Sequence, residues 1–147
     1  MNRELRQLHT AFLDLAGMLN EPQRDDVLIA EAGISLDRAL FPLLVRIERK
    51  GPIGIVELAN ISGRDHTTVS RQVAKLERLG LVTRQPGKAD RRVREAAVTK
   101  KGLTMTKALD DARERIAGPI FAQWSKSDRQ NLVRLLRKFI DAARSVT

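Results

Sequence analysis

Hydroxyl and cationic side chains recur at helical spacing in residues 66–79. At about 100° per residue, Thr67, Arg71 and Lys75 fall on one side of a helix together with Arg78. The opposite side is apolar and carries Val69, Val73, Leu76 and Leu79. A helix with one apolar face and one face of hydrogen-bond donors fits the DNA major groove, where arginine recognises guanine through two hydrogen bonds. The spacing predicts a DNA-reading helix, and a solvated charged surface is the alternative for the helix taken alone.

The turn before this helix identifies the side chains that lie nearest the bases. Ser62 and Gly63 predict a tight turn after a short helix at 54–61, and Asp65 or His66 caps the helix that follows. In a helix–turn–helix, the second helix reads DNA with its N-terminal half, so its later residues lie nearer to phosphate. The predicted DNA-binding residues of the helix are His66, Thr67, Thr68, Ser70, Arg71, Lys75 and Arg78.

A hairpin with a basic tip follows the helix. Residues 81–85 and 93–98 contain the β-branched residues typical of short strands, and Pro86-Gly87 begins the turn between them. A basic hairpin beside a basic helix is an arrangement that grips a polyanionic duplex. The predicted DNA-binding residues of the hairpin are Arg84, Lys88, Asp90, Arg91, Arg92 and Arg94.

Asp90 lies close enough in the sequence to orient Arg92 or Arg91 by a charge-assisted hydrogen bond. The two-residue period of a strand predicts that Arg92 and Arg94 share one face. An arginine held at the tip suits a narrow A·T-rich minor groove, where the negative potential is strongest. A purely structural ion pair between Asp90 and Arg92 would use the same residues, and the sequence does not choose between the two roles.

The net charge is concentrated in the same part of the chain. Over 147 residues the formal net charge is +9, and residues 60–101 hold eleven Lys and Arg against four Asp and Glu, a net +7. Such a concentration indicates a nucleic-acid partner. The order of turn, basic helix and basic hairpin favours that interpretation over a solvated surface.

The residues that enzymes and metal sites need do not form a pattern here. The chain has no cysteine, which excludes disulfides, zinc fingers and thiol-based oxidant sensing. His9 and His66 are isolated, and there is no glycine-rich phosphate loop or pair of catalytic carboxylates. We therefore expect no enzyme activity, no metal and no cofactor. The lack of a signal core and of an apolar run of bilayer length predicts a soluble cytoplasmic, nucleoid-associated protein.

Helices are predicted on both sides of the basic segment. Ser35 predicts the start of a helix from Leu36, and Pro42 inside it predicts a kink or the loss of one backbone hydrogen bond. The helix before it has an apolar stripe of Leu5, Leu8, Phe12, Leu15 and Leu19.

Thr99 predicts the cap of a helix after the hairpin, and Gly118-Pro119 predicts its bend or end. Ser127 with Gln130 fits a capping box for the last helix. That helix has an apolar side of Leu132, Leu135, Leu136, Phe139, Ile140 and Ala143. The element order predicts a mainly α fold of the α+β winged-helix type.

The chain resembles the MarR family of bacterial winged-helix regulators in its reading helix, its hairpin tip and the start of the next helix. The matching stretches are Gly63-Arg64-Asp65-His66-Thr67-Thr68-Val69-Ser70-Arg71-Gln72-Val73, Leu76-Glu77-Arg78-Leu79-Gly80-Leu81-Val82, Asp90-Arg91-Arg92 and Val98-Thr99-Lys100-Lys101-Gly102. The resemblance implies a winged helix–turn–helix domain at 36–99, with 1–35 and 100–147 forming a helical dimerisation region.

The same resemblance implies a homodimer that binds a pseudo-palindromic operator and represses transcription. The apolar faces of the first and last helices also favour burial against a second copy of the chain, and packing inside one chain is the alternative. The residues assigned to the dimer interface are Leu5, Leu8, Phe12, Leu15, Leu132, Leu136, Phe139 and Ile140.

The resemblance further implies release by a small phenolic or lipophilic effector bound between the dimer helices and the winged helix. Phe12, Phe41 and Arg46 are the candidate ligand-binding residues. Core packing is the alternative for the two phenylalanines, and a surface position or an ion pair is the alternative for Arg46.

Two other functions are compatible with a winged helix, because this fold hosts several. They are sequence-independent nucleoid binding and protein interaction. Salt dependence and sequence preference of DNA binding separate these from a regulator.

Overall fold

Seven α-helices and three short β-strands make up the computed structural model, which describes residues 1–147. In chain order they are α1 (Arg3–Leu19), α2 (Pro22–Ala32), α3 (Phe41–Lys50), β1 (Ile53–Gly54), α4 (Ile55–Ser62), α5 (His66–Arg78), β2 (Val82–Pro86), β3 (Arg94–Val98), α6 (Lys100–Phe121) and α7 (Lys126–Val146). The six predicted helices and the hairpin are present in the predicted order. Helix α2 and the two-residue strand β1 were not part of that prediction.

The chain divides into two units, Met1–Ala112 and Arg113–Thr147. The core of the first unit lies between α3, α4, α5 and the sheet. Its fully buried side chains include Leu43, Leu44, Leu58, Val69, Val73, Leu76 and Leu81. This core fixes the orientation of α5.

The three strands form an antiparallel sheet in the order β1-β3-β2. In the hairpin Val82 lies opposite Val98 and Pro86 lies opposite Arg94. The buried Val82 and Ala96 attach the base of the hairpin to the core, so its tip projects from an anchored base.

Helix α3 starts later than the sequence predicted. Ser35 does not cap it, because Asp37 forms a turn in which its side-chain Oδ1 accepts from Ala39 N at 2.8 Å and its carbonyl accepts from Leu40 N at 2.9 Å. Pro42 then lies in the first turn of α3, where its missing N–H removes no intrahelical hydrogen bond. The predicted kink was therefore wrong.

Of the predictions about the C-terminal helices, one was wrong and one was confirmed. Gly118-Pro119 does not end α6, which continues to Phe121 with Pro119 inside it. The capping box of α7 uses Ser125 and Asp128 in place of Ser127 and Gln130. Thr99 caps α6 as predicted, with its hydroxyl oxygen accepting from Gly102 N at 3.1 Å.

The second unit contains the end of α6 and all of α7. The rings of Phe121 and Trp124 meet edge to face, with centroids 5.2 Å apart. No side chain of α7 is fully buried within the chain. Its apolar face is therefore open in the single chain.

Candidate nucleic-acid interface

Helix α5 separates a buried face from an exposed one. Val69, Val73 and Leu76 are buried at 0% exposure. Leu79, predicted on the same inner face, is 42% exposed because it is the C-cap beyond the last turn. Among the residues predicted to bind DNA, Thr68 and Ser70 are partly buried, and the exposed ones are His66, Thr67, Arg71, Lys75 and Arg78.

Asp65 is the N-cap of α5. Its carboxylate accepts from Thr68 N at 2.8 Å and from the Thr68 hydroxyl at 2.7 Å. These hydrogen bonds from Thr68 lower the pKa of Asp65, so the carboxylate stays charged beside the positive end of the helix. The Thr68 hydroxyl proton is used in the cap, which leaves its oxygen as an acceptor only.

Asp65→Ala is expected to lower the melting temperature, while Asp65→Asn keeps most of the stability because asparagine also caps helices well. A lowered pKa means that the carboxylate contributes stability above the pKa of an unfolded aspartate and loses it as the pH falls through the folded pKa. Thermal unfolding at neutral and acidic pH measures both effects. If Asp65→Asn destabilises as much as Asp65→Ala, or the deficit persists unchanged in acid, the cap does not act in this way.

A groove of about 430 Å³ runs beside α5. Its lining includes Thr68, Arg71, Lys75 and Arg78, which the sequence predicted, and Gln72, which it did not. The groove brings together the cationic side chains of Arg71, Lys75 and Arg78, which are suited to a polyanion, and the carboxylate of Asp37 also lines it.

Two polar residues, one in the turn before α5 and one in the middle of α5, were not among the predicted DNA-binding residues. Gln72 accepts a hydrogen bond at 3.3 Å from Nη1 of Arg64, which lies in the turn between α4 and α5. Arg64 could have been predicted to lie near α5, because it directly precedes Asp65, the N-cap of that helix. Gln72 carried no comparable signal, because its contact depends on how the turn folds back along α5.

The hairpin tip holds one arginine in a fixed orientation. Oδ1 of Asp90 accepts from the backbone N of Arg92 at 3.0 Å and from Nε at 3.1 Å, and Oδ2 accepts from Nη2 at 3.1 Å. These bonds from Arg92 lower the pKa of Asp90. The Arg92 side chain is nevertheless 91% exposed. The predicted Asp90–Arg92 pair is therefore present, and it presents a guanidinium to solvent.

The remaining hairpin cations differ in accessibility. Lys88, Arg91 and Arg94 are exposed. Arg92 lies in the turn and Arg94 begins β3, so the prediction that both share one strand face was wrong. Arg84 is partly buried, with its Nε 3.8 Å from Oε1 of Glu77 on α5, and this Nε makes no hydrogen bond. Arg84 thus lies against α5, away from the hairpin tip.

Comparison with known proteins identifies the family of the chain. The family model "MarR family" matches residues 36–93. The chain is 32% identical over 111 residues to the uncharacterized HTH-type transcriptional regulator YxaD of Bacillus subtilis (strain 168), covering 73% of this chain and 78% of that protein. The chain belongs to the MarR family.

Solved structures agree on the fold of this MarR-family chain. A MarR family protein from Bacillus stearothermophilus superposes with a TM-score of 0.76 at 22% identity, covering 98% of this chain and 99% of the other. RV1404 from Mycobacterium tuberculosis gives a TM-score of 0.69 at 26% identity, with 97% and 96% covered. The transcriptional regulator BldR from Sulfolobus solfataricus gives 0.71 at 20% identity, with 97% and 99% covered. The winged-helix fold class is therefore confirmed.

Membership of the MarR family makes this protein a DNA-binding transcriptional regulator and not an enzyme. The prediction of a regulator made from the basic helix and hairpin is confirmed at that level. No three His, Asp or Glu side chains are grouped as a metal site requires. None of the helices has both the length and the apolar content needed to span a bilayer.

In this MarR-family chain, the end of α5 is hydrogen-bonded to the start of α6. Three consecutive carbonyls accept hydrogen bonds from the start of α6. Leu79 O accepts from Lys101 Nζ at 2.8 Å, Gly80 O from the Thr99 hydroxyl at 2.6 Å, and Leu81 O from Thr99 N at 3.0 Å. The end of α5, the base of the hairpin and the first turn of α6 are therefore joined directly.

The residues predicted to bind an effector do not share one environment. Phe41 is 3% exposed and belongs to the interior, so it does not line an open crevice. Phe12 on α1 is partly exposed. Arg46 on α3 is partly buried, and its pKa is lowered by burial and by the charge of Arg64. None of the three lines the groove beside α5.

Most residues predicted at a dimer interface are accessible in the single chain. Phe12 and Leu136 are partly buried. The exposed residues are Leu5, Leu8, Leu15, Leu132, Phe139 and Ile140.

Proposed function

We propose that this regulator binds a specific operator by inserting α5 into the major groove. The main support is the row of exposed side chains of Thr67, Arg71 and Lys75 on α5. On the opposite side of this helix the apolar side chains are fully buried, and Asp65 caps its N-terminus. A helix held so firmly presents its donors in one orientation, which base reading requires. Thr67, Ser70 and Arg71 read base edges, while His66, Lys75 and Arg78 meet phosphates.

The hairpin adds a contact in the neighbouring minor groove. Arg92 reaches into solvent and is oriented by both carboxylate oxygens of Asp90. Such an arginine suits the negative potential of a narrow A·T-rich groove. Lys88, Arg91 and Arg94 flank the duplex backbone, and Arg84 supports the hairpin from the side of α5.

The functional unit is a homodimer, with 36–99 as the DNA-binding domain and 1–35 with 100–147 as the dimerisation region. Support comes from the apolar side chains exposed on α1 and α7, such as Leu5, Leu8 and Phe139. Burying large apolar side chains of this kind drives association. A two-fold dimer presents two copies of α5 about 34–36 Å apart, which suits a pseudo-palindrome.

Regulation follows the model of a repressor released by a small lipophilic or phenolic effector. Such an effector acts only if it binds one separation of the two reading helices more tightly than another. Of the candidate residues, Phe12 and Arg46 have the accessibility that ligand contact needs, whereas Phe41 does not. Its DNA partner makes the cytoplasmic nucleoid the site of action.

A salt titration with two duplexes tests this function. One duplex carries the palindrome upstream of the protein's own gene, and the other has the same base composition in random order. A regulator is expected to prefer its palindrome by about 10³-fold or more, with affinity falling steeply as salt rises. Equal affinity for the two duplexes would identify a nucleoid binder, and no DNA binding would indicate a protein-interaction module. Sedimentation as a monomer at micromolar concentration would contradict the two-fold arrangement.

Arg92→Ala is expected to weaken binding mainly when the operator flanks are A·T-rich. Removing a charge-assisted contact of about 1.5–3 kcal/mol lowers affinity roughly tenfold or more. Binding to operators with A·T-rich and G·C-rich flanks measures the difference. The matched control is Arg91→Ala, which should lower both affinities equally. If Arg92→Ala behaves like Arg91→Ala, Arg92 does not read the minor groove.

A further inference from the structure

The second unit carries an excess of positive charge that is separate from the basic segment at 60–101. Residues Arg113–Thr147 hold eight Lys and Arg against three Asp and Glu, a net +5. Residues 1–59 and 102–112 together hold eight against eleven, a net −3. The positive charge is therefore concentrated in two segments of the chain, and the proposed operator contacts use only the first of them.

The cations of α7 lie mainly on one side of the helix. At about 100° per residue, four of them fall within an arc of about 80°. These residues form the α7 cationic row, which consists of Lys126, Arg134, Arg137 and Arg144. By the same count Leu132, Leu136 and Phe139 lie on the opposite side of the helix. The row therefore stays accessible when the apolar side is buried against a second copy of the chain.

No carboxylate neutralises the α7 cationic row. All four side chains are exposed, and no Lys or Arg of α7 forms an ion pair. Asp141 falls within the same arc but pairs with none of them. Helix α6 differs, because Nζ of Lys107 lies 2.9 Å from Oδ2 of Asp111 one turn later. Paired charges of both signs are typical of a solvated helix face, whereas the row has unpaired charges of one sign.

The chemistry of the row suits the backbone of double-stranded DNA. Three of its four members are arginines, and guanidinium groups bind phosphate through paired hydrogen bonds. From Lys126 to Arg144 the row extends over about 27 Å, at 1.5 Å per residue. A duplex carries one negative charge per about 1.7 Å of its axis, so it offers phosphates along the whole row. Because the chain belongs to a family of DNA-binding regulators, duplex DNA is also the polyanion that it encounters.

We propose that the α7 cationic row binds the backbone of a second stretch of duplex DNA while α5 occupies the operator. The contact is independent of sequence, because phosphates carry no sequence information. Each protomer contributes one row, so the bound protein joins its operator to another DNA segment. The inference uses the DNA-binding family of the chain and does not depend on how α5 reads the operator.

A capture experiment tests this second DNA site. Wild-type protein is bound to beads that carry the palindromic duplex, and a labelled random duplex is then added. The wild type is expected to retain the label, and retention should fall as salt rises. The variant Arg134→Gln/Arg137→Gln/Arg144→Gln should retain about tenfold less, because three phosphate contacts per protomer are lost. Its melting temperature and its affinity for the palindromic duplex should stay at the wild-type values, since the three side chains are exposed and unpaired.

The matched control removes the same charge from the first unit. It replaces Arg3, Arg6 and Lys50 by glutamine, which are three exposed cations without an ion pair. This control should retain the label as the wild type does. An equal loss of label in both variants would show that only the net charge of the protein matters, and the proposal would be wrong.

The remaining outcomes assign the row differently or separate it from operator reading. A wild type that retains no label would show that the row is solvated surface. A loss of operator affinity in the α7 variant that grows with the length of the flanks would place the row on the operator's own flanks. Binding of phosphatidylglycerol vesicles that the α7 variant loses, without capture of a duplex, would identify a membrane surface. Each of these results overturns the proposal. If the protein shows no preference for the palindrome, capture between two random duplexes still tests the row, and only the proposed operator reading fails.

Discussion

Arg71→Ala should abolish much of the preference for the operator while leaving the protein folded. Arg71 is exposed on α5, one turn after Thr67, and its side chain lines the groove beside the helix. An arginine that contacts guanine through two hydrogen bonds contributes about 1–3 kcal/mol of discrimination. Two protomers lose it twice, so operator affinity falls far more than affinity for random DNA. Binding to the operator, to a random duplex and to operators with single base substitutions measures the effect.

Arg78→Ala is the control for Arg71→Ala. It removes the same charge from the last turn of α5, where the side chain lies nearer to phosphate. It should weaken binding to every duplex by a similar factor and make the salt slope less steep by about one for each phosphate involved. Equal losses of affinity on operator and random DNA for Arg71→Ala would mean that Arg71 contacts phosphate only.

Gly102→Ala should destabilise the protein and impair DNA binding together. A Cβ at this position would overlap the carbonyl oxygen of Leu81 and lie 2.6 Å from Cγ2 of Val98. The carbonyl belongs to backbone and accepts from Thr99 N at 3.0 Å, so relief requires the first turn of α6 to move away from the hairpin. Overpacking of this kind costs about 1–3 kcal/mol. In a chain of this size class each kcal/mol lowers the melting temperature by about 2–4 °C.

Gly17→Ala is the control for the added methyl group. Gly17 lies inside α1, and a Cβ there meets no atom within 4 Å. Because alanine is the better helix former, this change should stabilise the helix by up to about 1 kcal/mol. A Gly102→Ala protein with unchanged melting temperature would mean that α6 shifts at little cost, and the junction would then be less rigid than its hydrogen bonds indicate.

The sequence predicted the elements whose signal is local and repeated. Val69, Val73 and Leu76 recur at helical spacing, and Asp65 lies at the position that a helix cap requires. The presence and the start of α5 could therefore be predicted from the sequence. The Asp90–Arg92 pair was also predictable, because its two residues are close along the chain. A contact between near neighbours needs little knowledge of the tertiary fold.

The errors arose where neighbouring segments decide the local structure. The start of α3 depends on the turn that Asp37 forms, which outweighs the capping signal of Ser35. The pairing of Arg84 with Glu77 joins β2 to α5 and depends on their packing. No spacing rule within one element predicts such contacts.

Hydrogen bonds from Thr99 and Lys101 to the carbonyls of Leu79, Gly80 and Leu81 join the end of α5 directly to the first turn of α6. We therefore expect a tilt of the first turn of α6 to turn α5 and the base of the hairpin with it. For a two-fold dimer, inserting one base pair between half-sites rotates one of them by about 34–36° around the duplex, since a turn holds about 10–10.5 base pairs. A stiff joint cannot absorb that rotation locally, so we expect the proposed dimer to be as sensitive to the length of the operator spacer as to the operator sequence.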